Sequence, residues 1–262
     1  MYYGADMYNG TIPPILMYHS VSPYQVDPYL VTVRPERFDQ QLRWLRRRGL
    51  KGASMRELLE SRRRGGGRGL VGLTFDDGYA DFASYALPIL QRYGFSATLF
   101  AIAGRLGQDN AWDVEGPRKP LMTADQLREV AGAGIEIGSH GLAHVSLVSA
   151  ADDEVTSEIT ESRRLLQEVT GQDVDGFCYP YGHIDRRGVA GVHGAGYDYG
   201  CAIWRSEFTG GYALPRTYIG DADSSPRLWA KGARHVVRWA YRGQPRSRHS
   251  ATETGPHQQT RA

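Results

Sequence analysis

The stretch "LVGLTFDDG", residues 70–78, constrains this chain more than any other, because an apolar run ends there on two adjacent aspartates and a glycine. Short apolar runs bounded by turn residues read as buried strands. A tight turn after such a strand needs only an Asp-Gly pair. Asp76 is therefore a carboxylate that the turn does not require and that its neighbour Asp77 repels. The doublet is either a costly turn or half of a reaction centre.

Comparable strands recur along the chain as "PILMYH" (14–19), "SATLFAI" (96–102), "GIEIGSH" (134–140), "FCYPYG" (177–182), "YGCAIW" (199–204) and "RTYIG" (216–220). Helical patterns separate them. Phe38, Leu42 and Leu45 share one face of a helix over 35–49, and the basic opposite face reads as solvated surface. Ser54 with Glu57, and Thr123 with Gln126, have capping-box spacing at two helix starts. Further helices are expected over about 81–93, after Ser149 to about Thr170 with Gly171 as the stop, between 182 and 199, and from Ser225-Pro226 to about Tyr241.

This alternation predicts an α/β fold, a distorted (β/α) barrel with about 7 strands whose working face lies at the carboxyl ends of the strands. The 262 residues, 41% hydrophobic, suit one such domain over 12–241, between a flexible terminus at 1–11 and a polar, aperiodic and disordered tail at 242–262.

The near balance of 31 basic and 29 acidic side chains gives no reason to expect a nucleic-acid partner. The basic loop "RRRGGGRG" lacks the lysine and hydroxyl of a phosphate-binding loop. Cys178 and Cys201 are too few for a disulfide scaffold; they either face each other on neighbouring strands or are simply small buried residues. The start, "MYYGADMYNGTIPP", shows no basic segment followed by an apolar one, and no run reaches the ~18 apolar residues of a membrane span. The expectation is a cytoplasmic location. No oligomeric interface is legible.

Chemistry-bearing residues fall at the carboxyl ends of three expected strands: Asp76 and Asp77, His140, and His19. His140 and His144, in "SHGLAH", have a spacing that lets two imidazoles approach one cation, either on a helical turn or in a tight loop. Gly141 stands where a zincin helix has its glutamate, so a base must come from elsewhere. The aspartate doublet supplies both needs, one carboxylate for the cation and one to take a proton from water.

At these residues the chain resembles the polysaccharide deacetylase family, also called the NodB-homology fold or carbohydrate esterase family 4. The matching pieces are "TFDDG" (74–78), "SHGLAH" (139–144) and "YPYG" (179–182), in the family's order. The resemblance covers roughly 12–220. It implies a divalent metal, zinc with cobalt or nickel as alternatives, held by Asp77, His140 and His144. It further implies Asp76 as base, the Tyr181 amide following Pro180 as an oxyanion donor, and a carbohydrate substrate.

Two departures stand out. The third-motif arginine that orients the catalytic aspartate in many members is replaced by Cys178, and Arg216 is either its substitute or a surface residue. No strand ending in histidine follows Tyr181, whereas "PILMYHSV" at the front fits the permuted branch that includes poly-N-acetylglucosamine deacetylases. There His19 becomes the acid for the departing amine.

Trp112, Tyr181 and Trp204 could stack on a sugar or merely pack, and the remaining histidines, His183 among them, have no partner motif. The expected reaction is metal-dependent removal of N-acetyl groups from an amino sugar in a poly- or oligosaccharide. The alternatives are a small acylated metabolite or a nucleotide- or lipid-linked sugar, or a non-catalytic carbohydrate-binding relative.

Overall fold

The computed structural model describes residues 14–240. The expected flexible terminus at 1–11, the tail at 242–262, and Tyr241 at the end of the last helix lie outside the described residues.

The strands are β1 (Ile15–Tyr18), β2 (Ser20–Val21), β3 (Thr32–Val33), β4 (Lys51–Ala53), β5 (Leu70–Phe75), β6 (Thr98–Ala101), β7 (Glu136–Ser139), β8 (Gly176–Cys178), β9 (Tyr199–Ala202), β10 (Leu214–Pro215) and β11 (Thr217–Tyr218). The helices are α1 (Pro35–Arg47), α2 (Met55–Arg63), α3 (Leu87–Tyr93), α4 (Ala124–Gly132), α5 (Asp152–Thr170), α6 (Arg186–Gly194) and α7 (Ser225–Ala240). Among them no helix is long and apolar enough to cross a membrane.

The main sheet runs β10-β9-β8-β7-β6-β5-β1-β11, with every pairing parallel. Its two ends, β10 and β11, are consecutive in the chain and separated by Arg216 alone. Counting β10 and β11 as one stave, with β1, β5, β6, β7, β8 and β9, gives the seven-strand barrel that the strand–helix alternation predicts. Closure runs through the covalent chain at Arg216, not through an unbroken ladder. Flanking bonds hold the seam, Arg216 N–H donating to Ile203 and Ile219 N–H to Met17.

Period-two alternation sorts the side chains. Leu73, Phe75, Leu99, Ile137 and Phe177 face outward and share a core with Phe38, Leu42, Leu127, Val155, Ile159 and Leu166 of the helices. Ile15, Phe100, Cys178, Tyr199, Cys201 and Leu214 pack together inside the barrel. The same alternation sends the residues that follow, His19, Asp76, His140 and Arg216, inward at the carboxyl end.

Several local expectations change in the structure. The short β2, β3 and β4 were not legible as strands, being two or three residues long. The Thr123–Gln126 box forms in both directions, but Glu57 leaves Ser54 for Lys51 and Ser96, so only the Ser54 half of that cap exists. α5 starts at Asp152 after Ala151, while Ser149 Oγ bonds back to Ser146. The helix expected from Asp81 begins as a wide π-type turn, Phe82–Ala86, before α3. Pro88 has no N–H to donate into that turn, which removes an ordinary helical bond. Cys178 and Cys201 are both buried free thiols and also register partners on β8 and β9, so they are small buried residues that face each other on neighbouring strands.

Low in the barrel, buried Glu136 accepts from the Arg56 amide (2.8 Å), Thr98 Oγ1 (2.6 Å) and Tyr199 Oη (2.8 Å). A methyl group on Gly176 would stand 2.2 Å from the Tyr199 ring and hydroxyl. Gly176→Ala should therefore displace Tyr199, break its bond to Glu136 and lower stability by about 1–3 kcal/mol, measurable by urea unfolding.

Candidate active site

Asp76 leaves β5 pointing into the barrel and meets Arg216 from the seam. The two form a paired fork, Nη1 to Oδ1 at 2.6 Å and Nη2 to Oδ2 at 2.7 Å, with both side chains buried. Arg216 also donates to Thr74 Oγ1 (3.0 Å), the Ala202 carbonyl (3.2 Å) and Cys178 Sγ (3.0 Å). Of the two readings of Arg216, the surface one is excluded. The small Cys178 side chain, 3.6 Å from Asp76, leaves room for a guanidinium arriving from the neighbouring stave. Burial alone would raise the Asp76 pKa, but Arg216 outweighs it and holds the carboxyl below its ordinary value.

Asp77 turns away from Asp76 by adopting a left-handed backbone, φ 71°, followed by Gly78 at φ 73°. Its Oδ1 lies 3.3 Å from His140 Nε2 and 3.5 Å from His144 Nε2. The two histidines sit in a tight loop, not on a helical turn, and His144 is itself left-handed at φ 64°. Glu158, from the inner face of α5, holds that loop by accepting from the amides of Leu142 (2.6 Å) and Ala143 (3.0 Å). Sequence reading missed Glu158; the available signal was a carboxylate amid the buried positions Val155, Ile159 and Leu166 of one helix face.

Three observations test whether these residues suit a cation. His140 Nδ1 lies 2.8 Å from the Cys178 carbonyl, which places a proton on Nδ1 and turns Nε2 toward Asp77; burial lowers the pKa of this imidazole, but Cys178 and Asp77 outweigh burial and hold it well above its ordinary value, so that Nε2 shares a second proton with Asp77 that a cation would displace. Burial pushes the His144 imidazole down to about 3 despite the attraction of Asp77, so this ring is neutral. Asp77 Oδ1 and the two Nε2 atoms are thus three potential ligand atoms aimed at one point, and a divalent cation would take the place of the proton between Asp77 and His140. A second group, Asp76, His140 and Cys178, is also close enough to share an ion. It suits one poorly, because Arg216 already occupies both Asp76 oxygens, and burial raises the Cys178 pKa, keeping it a thiol.

His19, at the end of β1, places Nε2 4.0 Å from Asp76 Oδ2, and its buried Nδ1 has no hydrogen-bond partner among the described residues. The backbone beside it is pinned by Asp81, which accepts from Ser20 Oγ (2.6 Å) and the Val21 amide (3.2 Å). Lys119 Nζ donates to the same Ser20 Oγ (2.6 Å) and to Thr32 Oγ1 (2.7 Å). Neither Asp81 nor Lys119 carried a sequence signal, since their partners are distant in the chain.

Pro180 is buried, and Tyr181 follows with a left-handed backbone, φ 59°. The Tyr181 amide donates to no backbone acceptor among the described residues. Its half-exposed ring lies 4.6 Å from the His144 ring, centroid to centroid. Trp112, from the loop 104–120, covers the other side of His144 at 4.4 Å and packs on Tyr79, Ile102 and Leu121. Trp112, partly buried, therefore forms one wall of the cage.

Fold and site define a (β/α)-barrel protein with an Asp–His–His cage and a clamped second aspartate at the carboxyl ends of its strands. The sequence profile of the polysaccharide deacetylase family matches residues 63–200, and the chain belongs to that family. His19 and Arg216 lie outside the matched segment, on opposite sides of it, yet fold against Asp76.

The chain is 29% identical over 222 residues to the polysaccharide deacetylase family protein YxkH of Bacillus subtilis, covering 83% of this chain and 75% of that one. It is 25% identical over 203 residues to a poly-β-1,6-N-acetyl-D-glucosamine N-deacetylase of Staphylococcus aureus, covering 72% and 68%. Among solved structures, the Streptococcus pyogenes deacetylase PplD in complex with acetate is similar at TM-score 0.72 and 26% identity, over 85% of this chain and 99% of that one.

The Asp76–Arg216 pair has a pH signature. A depressed folded-state pKa contributes stability that is present above the unfolded value of about 4 and is lost as pH falls through the folded pKa. In chelator, Asp76→Asn should cost about 3–5 kcal/mol at pH 6, because it strands a buried guanidinium, and should lose less further stability than wild type between pH 6 and pH 3. Urea unfolding across that range measures both.

Proposed function

We propose that this protein hydrolyses N-acetyl groups on an amino-sugar polymer, using a divalent cation held by Asp77 Oδ1, His140 Nε2 and His144 Nε2. The observation that carries the reading is the meeting at one barrel end of that cage with an Arg216-clamped Asp76 and with His19, 4.0 Å from Asp76. The activity in the name of the Staphylococcus aureus relative supports the choice of substrate.

Zinc is the proposed cation, with cobalt or nickel suited to the same ligands; when bound it supplies Lewis-acid polarisation of the acetyl carbonyl and acidifies the attacking water. Asp76 takes the proton of that water. Its depressed pKa keeps it ionised at neutral pH, and the fork from Arg216 leaves its carboxylate one orientation. The Tyr181 amide, turned outward by the left-handed backbone, donates to the oxygen that gains charge, a contact worth ~10²- to 10³-fold in rate. His19 Nε2 gives its proton to the departing nitrogen. Acetate and a free amine are the products.

The alternative of a sugar-binding relative without activity is disfavoured because cage, base and acid candidates occur together. An acetate-release assay on β-1,6- and β-1,4-linked N-acetylglucosamine oligomers with Zn²⁺, Co²⁺ and Ni²⁺ tests the reading; no release with any combination would sink it. Asp76→Asn should abolish turnover and keep the metal content of wild type, whereas His140→Ala should lose both, as metal analysis beside the assay will show. His19→Ala should slow amide hydrolysis by ~10²- to 10⁴-fold and hydrolysis of an activated acetate ester much less, since a good leaving group needs little protonation. Equal losses on the two substrates would remove His19 from the acid role.

A further inference from the structure

A working imidazole is ordinarily aimed by a hydrogen bond at the nitrogen that faces away from the reaction. His19 Nδ1 is buried and has no such bond among the described residues, so the direction of this ring comes from the chain on either side of it. We infer that Lys119 and Asp81 are positioning residues for the proton that His19 delivers, acting together as a strut on Ser20, an inference that rests on the acid role proposed for His19.

The chain before His19 is fixed by the barrel. Tyr18 is fully buried, its ring stacks on Phe75 at 5.2 Å, and its carbonyl accepts the Asp76 amide at 3.0 Å. After His19 the chain leaves the main sheet, since β2 belongs to a separate two-stranded sheet with β3. So short a ladder is weak by itself, holding β2 through the Ser20 and Ser22 amides on the Val31 and Val33 carbonyls, both at 3.1 Å.

Two charged side chains supply what the ladder lacks. Asp81 accepts from Ser20 Oγ at 2.6 Å and from the Val21 amide at 3.2 Å. Lys119 Nζ donates to Ser20 Oγ at 2.6 Å on β2 and to Thr32 Oγ1 at 2.7 Å on β3, and stands 4.0 Å from Asp81. The Ser20 hydroxyl thus donates to one charge and accepts from the other, which leaves it one orientation. With side chains only 15% and 16% exposed, Lys119 and Asp81 are not solvated surface charges.

The strut ties His19 to the other parts of the site. Asp81 directly precedes the π-type turn that follows the Asp76–Asp77 doublet, so the candidate acid is referred to the same stretch of chain as the candidate base. Lys119 ends the loop that carries Trp112; its amide donates to buried Asn110 Oδ1 at 2.7 Å, and Asn110 Nδ2 donates to Asp113 at 3.2 Å. A rotation of β2 would swing the His19 ring away from its place 4.0 Å from Asp76, and a shift on the order of 1 Å can cost ~10²-fold in rate.

The test uses the full chain with Zn²⁺ and compares an N-acetylglucosamine oligomer with an activated acetate ester. Lys119→Met should lower kcat on the amide about 10- to 100-fold with KM within about twofold, and should lower the amide-to-ester ratio of kcat about tenfold, because only the amide needs the proton of His19. Lys119→Arg should restore most of the loss. Ser20→Ala, which keeps both charges and removes the hydroxyl between them, should show the same selectivity. In a His19→Ala background, Lys119→Met should slow amide hydrolysis no further than about twofold, since it acts through the residue already removed.

Equal slowing of amide and ester by Lys119→Met, or the same loss with and without His19, would mark a structural role and overturn the inference, as would wild-type amide turnover by both Lys119→Met and Ser20→Ala. Should Lys119→Met fail to fold, Ser20→Ala combined with His19→Ala decides by the same comparison. A His19→Ala enzyme that loses amide and ester turnover alike would instead overturn the acid role itself.

Discussion

The buried fork between Arg216 and Asp76 is the interaction on which the rest of the arrangement depends. Taking both charges out of water is costly, and the fork offsets that cost because its geometry is bidentate and Thr74, Ala202 and Cys178 occupy other guanidinium hydrogens. Arg216 is also the residue between β10 and β11, where the sheet's two ends meet. Closure of the barrel and orientation of the candidate base are thus one structural event. A change at the seam would alter the site, and loss of Asp76 would leave a charge stranded at the seam.

Around that fork the site is built from strained turns held by remote carboxylates. Asp77, His144 and Tyr181 all take left-handed backbone conformations without being glycine, a cost of roughly 1–3 kcal/mol each. Each residue must reverse the chain at once so that consecutive groups face one cavity. Asp77 turns so that the doublet divides between a cage and a clamp. Glu158 secures the His140–His144 loop, and Asp81 with Lys119 secures the backbone beside His19.

The seven-strand barrel was legible because strands and helices alternate with strong apolar patterns, and the residues after those strands share one face by the period of two. Their place at the carboxyl ends of expected strands grouped Asp76, His140 and His19, and the DDG and HxxxH motifs marked Asp77 and His144. Short strands such as β2 and β4 were not legible, since two or three residues show no period. The helix expected after Ser149 begins only at Asp152, because that serine is used in its own turn, and the helix expected from Asp81 opens with a π-type turn, because Pro88 cannot donate into it. Glu158, Asp81 and Lys119 escaped notice because each acts on a partner remote in sequence.

By itself, then, the sequence determined the fold class, the family and the residues able to carry the chemistry, because these depend on local pattern and residue type. It left two readings of Arg216, a buried partner of Asp76 or a surface residue. Only the tertiary structure chose between them. Which guanidinium reaches Asp76 depends on how the barrel closes. Whether Cys178 leaves room for it depends on contacts between staves and loops that chain separation alone cannot specify.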